Sequence, residues 1–172
     1  NFASVDGMLT NESTGGAVSG ALVVVTETGT GQGGSTYSSG QGHYLIQNLP
    51  AGVYTVTITH ASYLKATKEN QAFAGGTTNH VNVSLTPKNG TIAGQVTSGG
   101  AGASGVTISA TSGGTTKSTV TSTDGSYTIQ NLTPGSYAVV ASLTGYSSTP
   151  GSQTVDVAAN TTAQANFTIT AN

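Results

Sequence analysis

The strongest constraint on this chain is that it contains itself. Gly42-His43-Tyr44-Leu45-Ile46-Gln47-Asn48-Leu49-Pro50-Ala51-Gly52-Val53-Tyr54-Thr55-Val56 is answered by Gly125-Ser126-Tyr127-Thr128-Ile129-Gln130-Asn131-Leu132-Thr133-Pro134-Gly135-Ser136-Tyr137-Ala138-Val139, with Gly42 and Gly125, like Val56 and Val139, 83 positions apart. A shared run of this kind marks one folding unit used twice. On either side the offset drifts: Ser19-Gly20 answers Ser104-Gly105, and Val83-Ser84-Leu85-Thr86 answers Phe167-Thr168-Ile169-Thr170. Loops absorb such differences. The turn-forming cluster Thr86-Pro87-Lys88-Asn89-Gly90 sets the boundary, giving a first domain over 1–87 and a second over 88–172.

Within each copy the apolar period is two. Tyr137, Val139, Ala141 and Leu143 point one way and Ser136, Ala138, Val140 and Ser142 the other; Tyr54, Val56, Ile58 and His60 repeat the pattern. That is the signature of a half-buried strand. About seven short strands per copy, separated by Gly, Asn, Pro and Ser, predict an all-β chain of two tandem antiparallel sandwiches. In the second copy the expected strands are 91–97, 104–111, 114–121, 126–130, 136–143, 153–158 and 164–170.

The surface follows from what the chain lacks. Of 172 residues 6% are charged, the formal net charge is -2, and 25 residues are glycine. Soluble domains on average carry about a quarter charged residues; here Ser, Thr, Asn, Gln and Gly take their place. The richness in Val, Ile, Thr and Tyr separates the chain from disordered polar sequences. Cysteine is absent, so there is no disulfide framework. No stretch approaches the roughly 18 consecutive apolar residues of a transmembrane helix, and no charged-then-apolar leader opens the chain. A start at Asn1 rather than methionine fits either a processed mature protein or an excised fragment, and the expected location is extracellular or on the cell surface.

The string Thr123-Asp124-Gly125-Ser126-Tyr127-Thr128-Ile129-Gln130-Asn131-Leu132-Thr133-Pro134-Gly135-Ser136-Tyr137, followed by Gly145-Tyr146, resembles the carboxypeptidase regulatory-like domain, a transthyretin-like and immunoglobulin-like sandwich. The resemblance extends to both copies. In the first, Gln41 stands in the place of Asp124, and Ser62 rather than glycine precedes Tyr63. It implies a non-catalytic module, found singly beside enzymes or in tandem on microbial surface and secreted proteins.

The motif residues have physical readings of their own. Asp124-Gly125 suits a hairpin turn because glycine accepts positive φ. Tyr127 and Ile129 share a face, Leu132 plugs the sandwich end, and Pro134-Gly135 reverses the chain into the strand of Tyr137. Gly42, Tyr44, Leu49, Gly52 and Tyr54 hold the same places in the first copy. The tyrosines are expected to be core residues with bonded hydroxyls.

Reagents for catalysis are scarce. His43 at a strand start, His60 at a strand end and His80 opening another strand have no second ligand at metal-like spacing. Asp6, Asp124, Asp156, Glu12, Glu27 and Glu69 are scattered, and no Gly-x-Ser-x-Gly elbow exists. Gly29-Thr30-Gly31-Gln32-Gly33-Gly34 matches a phosphate-loop pattern but joins two strands, where it reads as a flexible loop. Lys65, Lys68, Lys88 and Lys117 make no basic face, which excludes nucleic acid. No cofactor is implied. The first strands, Ala3 to Thr10 and Thr91 to Thr97, hold no lysine that could form an isopeptide with Asn82 or Asn166.

Six Asn-x-Ser/Thr sequons occur; Asn11, Asn82, Asn89, Asn160 and Asn166 are candidate glycosylation sites, while Asn131 lies in the fold motif. Asn82 and Asn166 alternate with inward Val81, Val83, Ala165 and Phe167 and are expected to project outward. Val106 to Thr111, Ser118 to Thr121 and Thr161 to Thr170 are charge-free and are read as exposed edges, which invite strand pairing. The expected function is a structural subunit of a surface fibre, self-associating into a homopolymer through strands or head-to-tail domain contacts. The alternatives are a spacer or a carbohydrate-binding module, with Tyr37, Tyr63 and Tyr146 as stacking platforms.

Overall fold

Alternation of small and branched apolar residues with polar ones produces strands along the whole chain. The computed structural model describes Asn1–Asn172 and contains strands without any helix. They divide into two units, Asn1–Pro87 and Lys88–Asn172.

The first unit contains β1 (Ala3–Asn11), β2 (Leu22–Glu27), β3 (Gly33–Tyr37), β4 (His43–Leu49), β5 (Gly52–His60), β6 (Tyr63–Phe73), β7 (Thr78–His80) and β8 (Val83–Leu85). One sheet is antiparallel in the order β3-β2-β5-β6. The other is built on β1, with β4 antiparallel to it and β7 and then β8 parallel to it. Val5, Leu9, Val23, Val25, Val56 and Ile58 fill the space between. Burying these side chains supplies the main drive for folding, about 25 cal/mol per Å² of apolar surface.

The second unit contains β9 (Gly90–Ser98), β10 (Ala101–Gly102), β11 (Thr107–Ser112), β12 (Thr115–Val120), β13 (Ser126–Leu132), β14 (Gly135–Ser142), β15 (Tyr146–Thr149), β16 (Gln153–Val157), β17 (Thr162–Gln164) and β18 (Phe167–Ala171). Its antiparallel sheet runs β12-β11-β14-β16. In the opposing sheet β9 pairs with β10 and β13 antiparallel and with β17 and β18 parallel, and β15 lies outside β18. Ile92, Val96, Ile108, Ile129, Val139 and Phe167 form the core. Seven strand positions recur in each unit, and the last of them is interrupted in both.

Several expectations change. Asp124-Gly125 does not close a hairpin: the turn joins β12 in one sheet to β13 in the other, so it is an arch across the sandwich. The local hydrogen bonds are those of a tight turn, Gly125 N–H to Ser122 C=O at 2.9 Å, but strand neighbours are chosen by the core and not by the turn. Val106 to Thr111 is not an edge either, because β11 is paired on both sides. Within Thr161 to Thr170, β18 lies between β9 and β15, leaving only the short β17 open. His80 closes β7 rather than opening a strand.

Candidate functional site

The side chains with chemistry are used mostly to close the two sandwiches. In each unit the last strand breaks opposite a glycine of the first, Gly7 on β1 and Gly94 on β9. A Cβ at either position would overlap a backbone carbonyl oxygen, that of Val81 or Ala165. That carbonyl accepts a hydrogen bond from a buried tyrosine: Tyr44 Oη to Val81 O and Tyr127 Oη to Ala165 O, both 2.5 Å. Burial pushes the Tyr127 phenol up to about 12 and raises Tyr44 as well, with the nearby Asp6 charge adding to the second shift. Next along the strand, the Asn82 side-chain oxygen accepts from Met8 N–H at 2.8 Å, and that of Asn166 from Gln95 N–H at 2.9 Å. Each carboxamide supplies an acceptor where the ladder is interrupted.

A second device is also duplicated. Ser38 and Thr121 are the buried polar residues of the two cores. Ser38 Oγ donates to Val18 O at 2.7 Å and accepts from Ala21 N–H at 3.0 Å; Thr121 Oγ1 donates to Ala103 O at 2.6 Å and accepts from Val106 N–H at 3.0 Å. Each hydroxyl bridges a turn whose glycine, Gly20 or Gly105, has positive φ. Neither was recognised from the sequence, since Ser and Thr are everywhere in it.

The motif residues are placed as their chemistry requires. Gly42 and Gly125 adopt φ of 78° and 83°, and their carbonyls accept from Leu9 and Val96 N–H at 2.9 Å. Leu49 and Leu132 are fully buried. Tyr54 and Tyr137 donate to Pro50 O and Thr133 O, four residues back, at 2.9 Å, tying down the loops that hold Gly52 and Pro134-Gly135. The Asp124 carboxylate accepts from Ser122 Oγ, Ser126 Oγ and Ser126 N–H, which hold it at about 2. In the glycine-rich loop the Glu27 carboxylate accepts from Thr30 Oγ1, Thr30 N–H and Gly29 N–H, and its pKa is lowered by them.

Outside these devices, Asp6 and His80 touch on the outer face of the first unit, with His43, Met8 and Asn82 around the same shallow depression. No local pattern marks this pair, whose members are 74 residues apart. No three His, Asp or Glu side chains converge. His60 accepts from Ser62 N–H and meets Tyr63 edge-on. Asn82, Asn89, Asn160 and Asn166 are exposed, whereas Asn11 Nδ2 donates to Tyr63 Oη at 3.1 Å. No helix is long and apolar enough to cross a membrane.

The geometry that bears on a mechanical role is the direction of the first and last strands. Ser4 pairs with Thr78 and Asn11 with Leu85 in parallel, as Thr91 does with Thr162 and Thr97 with Thr168. The chain therefore enters and leaves each domain at opposite ends, about 30 Å apart for a nine-residue strand.

The chain has recognisable relatives. A family model described as carboxypeptidase regulatory-like domain matches residues 4–86 and again 91–170. Chitinase ChiA of Flavobacterium johnsoniae is 34% identical over 137 residues, covering 77% of this chain but 8% of the chitinase. Among solved structures, the Bacillus anthracis TIE protein aligns with 97% of this chain and 34% of its own at 16% identity, with a TM-score of 0.58. A minor pilin of Streptococcus agalactiae aligns with 99% of this chain and 96% of its own at 13% identity and a TM-score of 0.43.

Proposed function

We propose, for a chain that belongs to the carboxypeptidase regulatory-like domain family, a non-catalytic role as a tension-bearing structural unit of a secreted or cell-surface protein, most concretely a subunit of a surface fibre. The observation that carries this reading is the parallel pairing of first and last strands in both domains. Pulling on the ends of such a domain loads all hydrogen bonds of the pair together in shear, whereas an antiparallel pair pulled from adjacent ends opens one bond at a time. The nearly uncharged surface of Ser, Thr, Asn and Gln fits life outside the cell, and glycans on Asn82, Asn89, Asn160 or Asn166 would meet no folded-state donor bond.

Single-molecule extension tests it. Held by its two ends, the chain is expected to rupture in two events, one per domain. Held instead at Ser13 and Lys88, which flank the same end of the β1–β8 pair, the first domain is expected to yield at a several-fold lower force. Equal forces in the two geometries would sink the load-bearing reading. A second reading, a spacer or glycan-binding module within a larger secreted enzyme, is favoured by the likeness to a short part of a chitinase. Electron microscopy of the native material separates the two: filaments repeating one chain for the subunit, isolated particles that sediment with chitin for the module.

A further inference from the structure

Sheet edges in this protein are guarded, with one exception. The far edge of the β3-containing sheet is β6, which carries Lys65, Lys68 and Glu69. The equivalent sheet of the second domain ends in β16, which carries Asp156, and in β12. On β12, Lys117 lies opposite the inward-facing Ala110, and its Nζ reaches across the sandwich rim to Asn131 C=O at 2.5 Å. A charge held there is a recognised barrier to strand addition. In the opposing sheets the edges are broken by left-handed Asn48 on β4 and Asn131 on β13, or are three or four residues long as in β7, β8, β15 and β17.

The exception is β3, Gly33-Gly34-Ser35-Thr36-Tyr37. It has no charge, proline or bulge, and no backbone partner beyond β2. At the position equivalent to Lys117 stands Gly34, where a Cβ would press on Ile46 Cγ2 at 2.8 Å. The guard present in the second domain could not be placed here without displacing Ile46. The hydrogen bonds from Glu27 N–H to Gln32 O (2.6 Å) and from Ser38 N–H to Ala21 O (2.9 Å) turn the even-numbered residues toward β2. Alternation then leaves the N–H and C=O of Ser35 and Tyr37 facing the open side. Tyr37, 68% exposed, closes the strand.

We infer that β3 is a pairing edge whose occupant is β3 of a second copy of this chain, antiparallel about a twofold axis through Ser35. The segment is self-complementary in that register. Ser35 exchanges two hydrogen bonds with the partner's Ser35, and each Tyr37 ring lies across from the partner's Gly33, where an aromatic side chain covers the backbone that glycine exposes. Two four-stranded sheets become one of eight strands. Because the contact is isologous it closes at a dimer and joins chains side by side; it is independent of the load-bearing reading above. A five-residue edge lies well below the ~1,200 Å² of a stable interface, so the affinity belongs in the range of roughly 10–1,000 micromolar.

Sedimentation of the whole chain across that concentration range is expected to show a monomer–dimer equilibrium. Ser35→Lys, which sets two like charges face to face, is expected to weaken it at least about tenfold, while Ser118→Lys on β12 leaves it unchanged. Circular dichroism melting checks that both variants remain folded. Since the chain has no cysteine, Ser35→Cys provides a second readout. Under oxidised glutathione it is expected to give a disulfide-linked dimer about tenfold faster than Ser118→Cys, because hydrogen-bonded cross-strand Cα atoms sit ~5.5 Å apart. A wild-type monomer throughout the range, a dimer untouched by Ser35→Lys, or equal cross-linking of the two cysteine variants would each overturn the inference. Heterogeneous larger species would do the same, since they imply a partner segment other than β3.

Discussion

The sixth strand position separates the two domains. In the first, β6 runs unbroken for 11 residues beside β5, from Tyr63 opposite His60 to Phe73 opposite Gly52. In the second, β16 stays with β14 while β15 crosses to the other sheet and pairs with β18. Local chain length explains the division. Val56 pairs with Lys68 and its equivalent Val139 with Gln153, so five steps from Tyr63 to Lys68 become seven from Tyr146 to Gln153. The surplus holds Pro150, which has no N–H to continue the ladder on β14. An outer strand can satisfy its backbone against either sheet, and so the two copies differ there. The glycine, tyrosine and carbonyl at the broken last strand have no such freedom, and the two copies agree.

That contrast can be broken in a graded way. The largest effect is expected from Gly7→Ala and Gly94→Ala, each of which drives a methyl group into a backbone carbonyl. Each should destabilise its own domain by about 3 kcal/mol or more, read from denaturant unfolding. If one were tolerated, the device would not be the common element. Next come Ser38→Ala and Thr121→Val, which leave a buried carbonyl and a buried N–H without partners. A loss of about 1–3 kcal/mol is expected for each, and a neutral result in one domain would show that its turn closes without the hydroxyl.

The smallest effect sharpens the comparison through pH. Asp124 is depressed to about 2 by Ser122 and Ser126, where the first copy has Gln41. A depressed carboxylate stabilises the fold above its unfolded pKa of about 4, and that contribution is lost as pH falls toward 2. Tyr127 is raised to about 12 and Tyr44 is raised as well, so their contribution is full below about 10 and is lost as pH rises through the folded-state value of each. The melting temperature should therefore be level from about pH 4 to 10 and fall outside it. Asp124→Gln should flatten the acid limb of the second domain and leave that of the first, where Glu27 is the depressed acid; an unchanged limb in the second domain would show that Asp124 does not set it.

Much of this was legible residue by residue. Residues 126–130 and 136–143 read as strands because their period is local, and the observed β13 (Ser126–Leu132) and β14 (Gly135–Ser142) begin and end within two residues of expectation. The outward direction of Asn82 and Asn166 followed from their neighbours in the same way. Their bonds did not, because Met8 and Gln95 lie 74 and 71 residues off. The edge reading failed for Val106 to Thr111 on the same ground: a charge-free strand is equally suited to the middle of a sheet, and β3, the open edge, looked like part of a glycine loop.

Taken alone, the amino-acid order determined that this chain is all-β, that it folds twice, where it turns and which faces are apolar, since backbone sterics and side-chain period act over a few residues. Only the tertiary structure decided which strands lie at edges, that the Asp124 turn spans two sheets, that first and last strands run parallel, and that Asp6 meets His80. Those outcomes depend on how two apolar faces close over each other, bringing together groups that no local pattern relates.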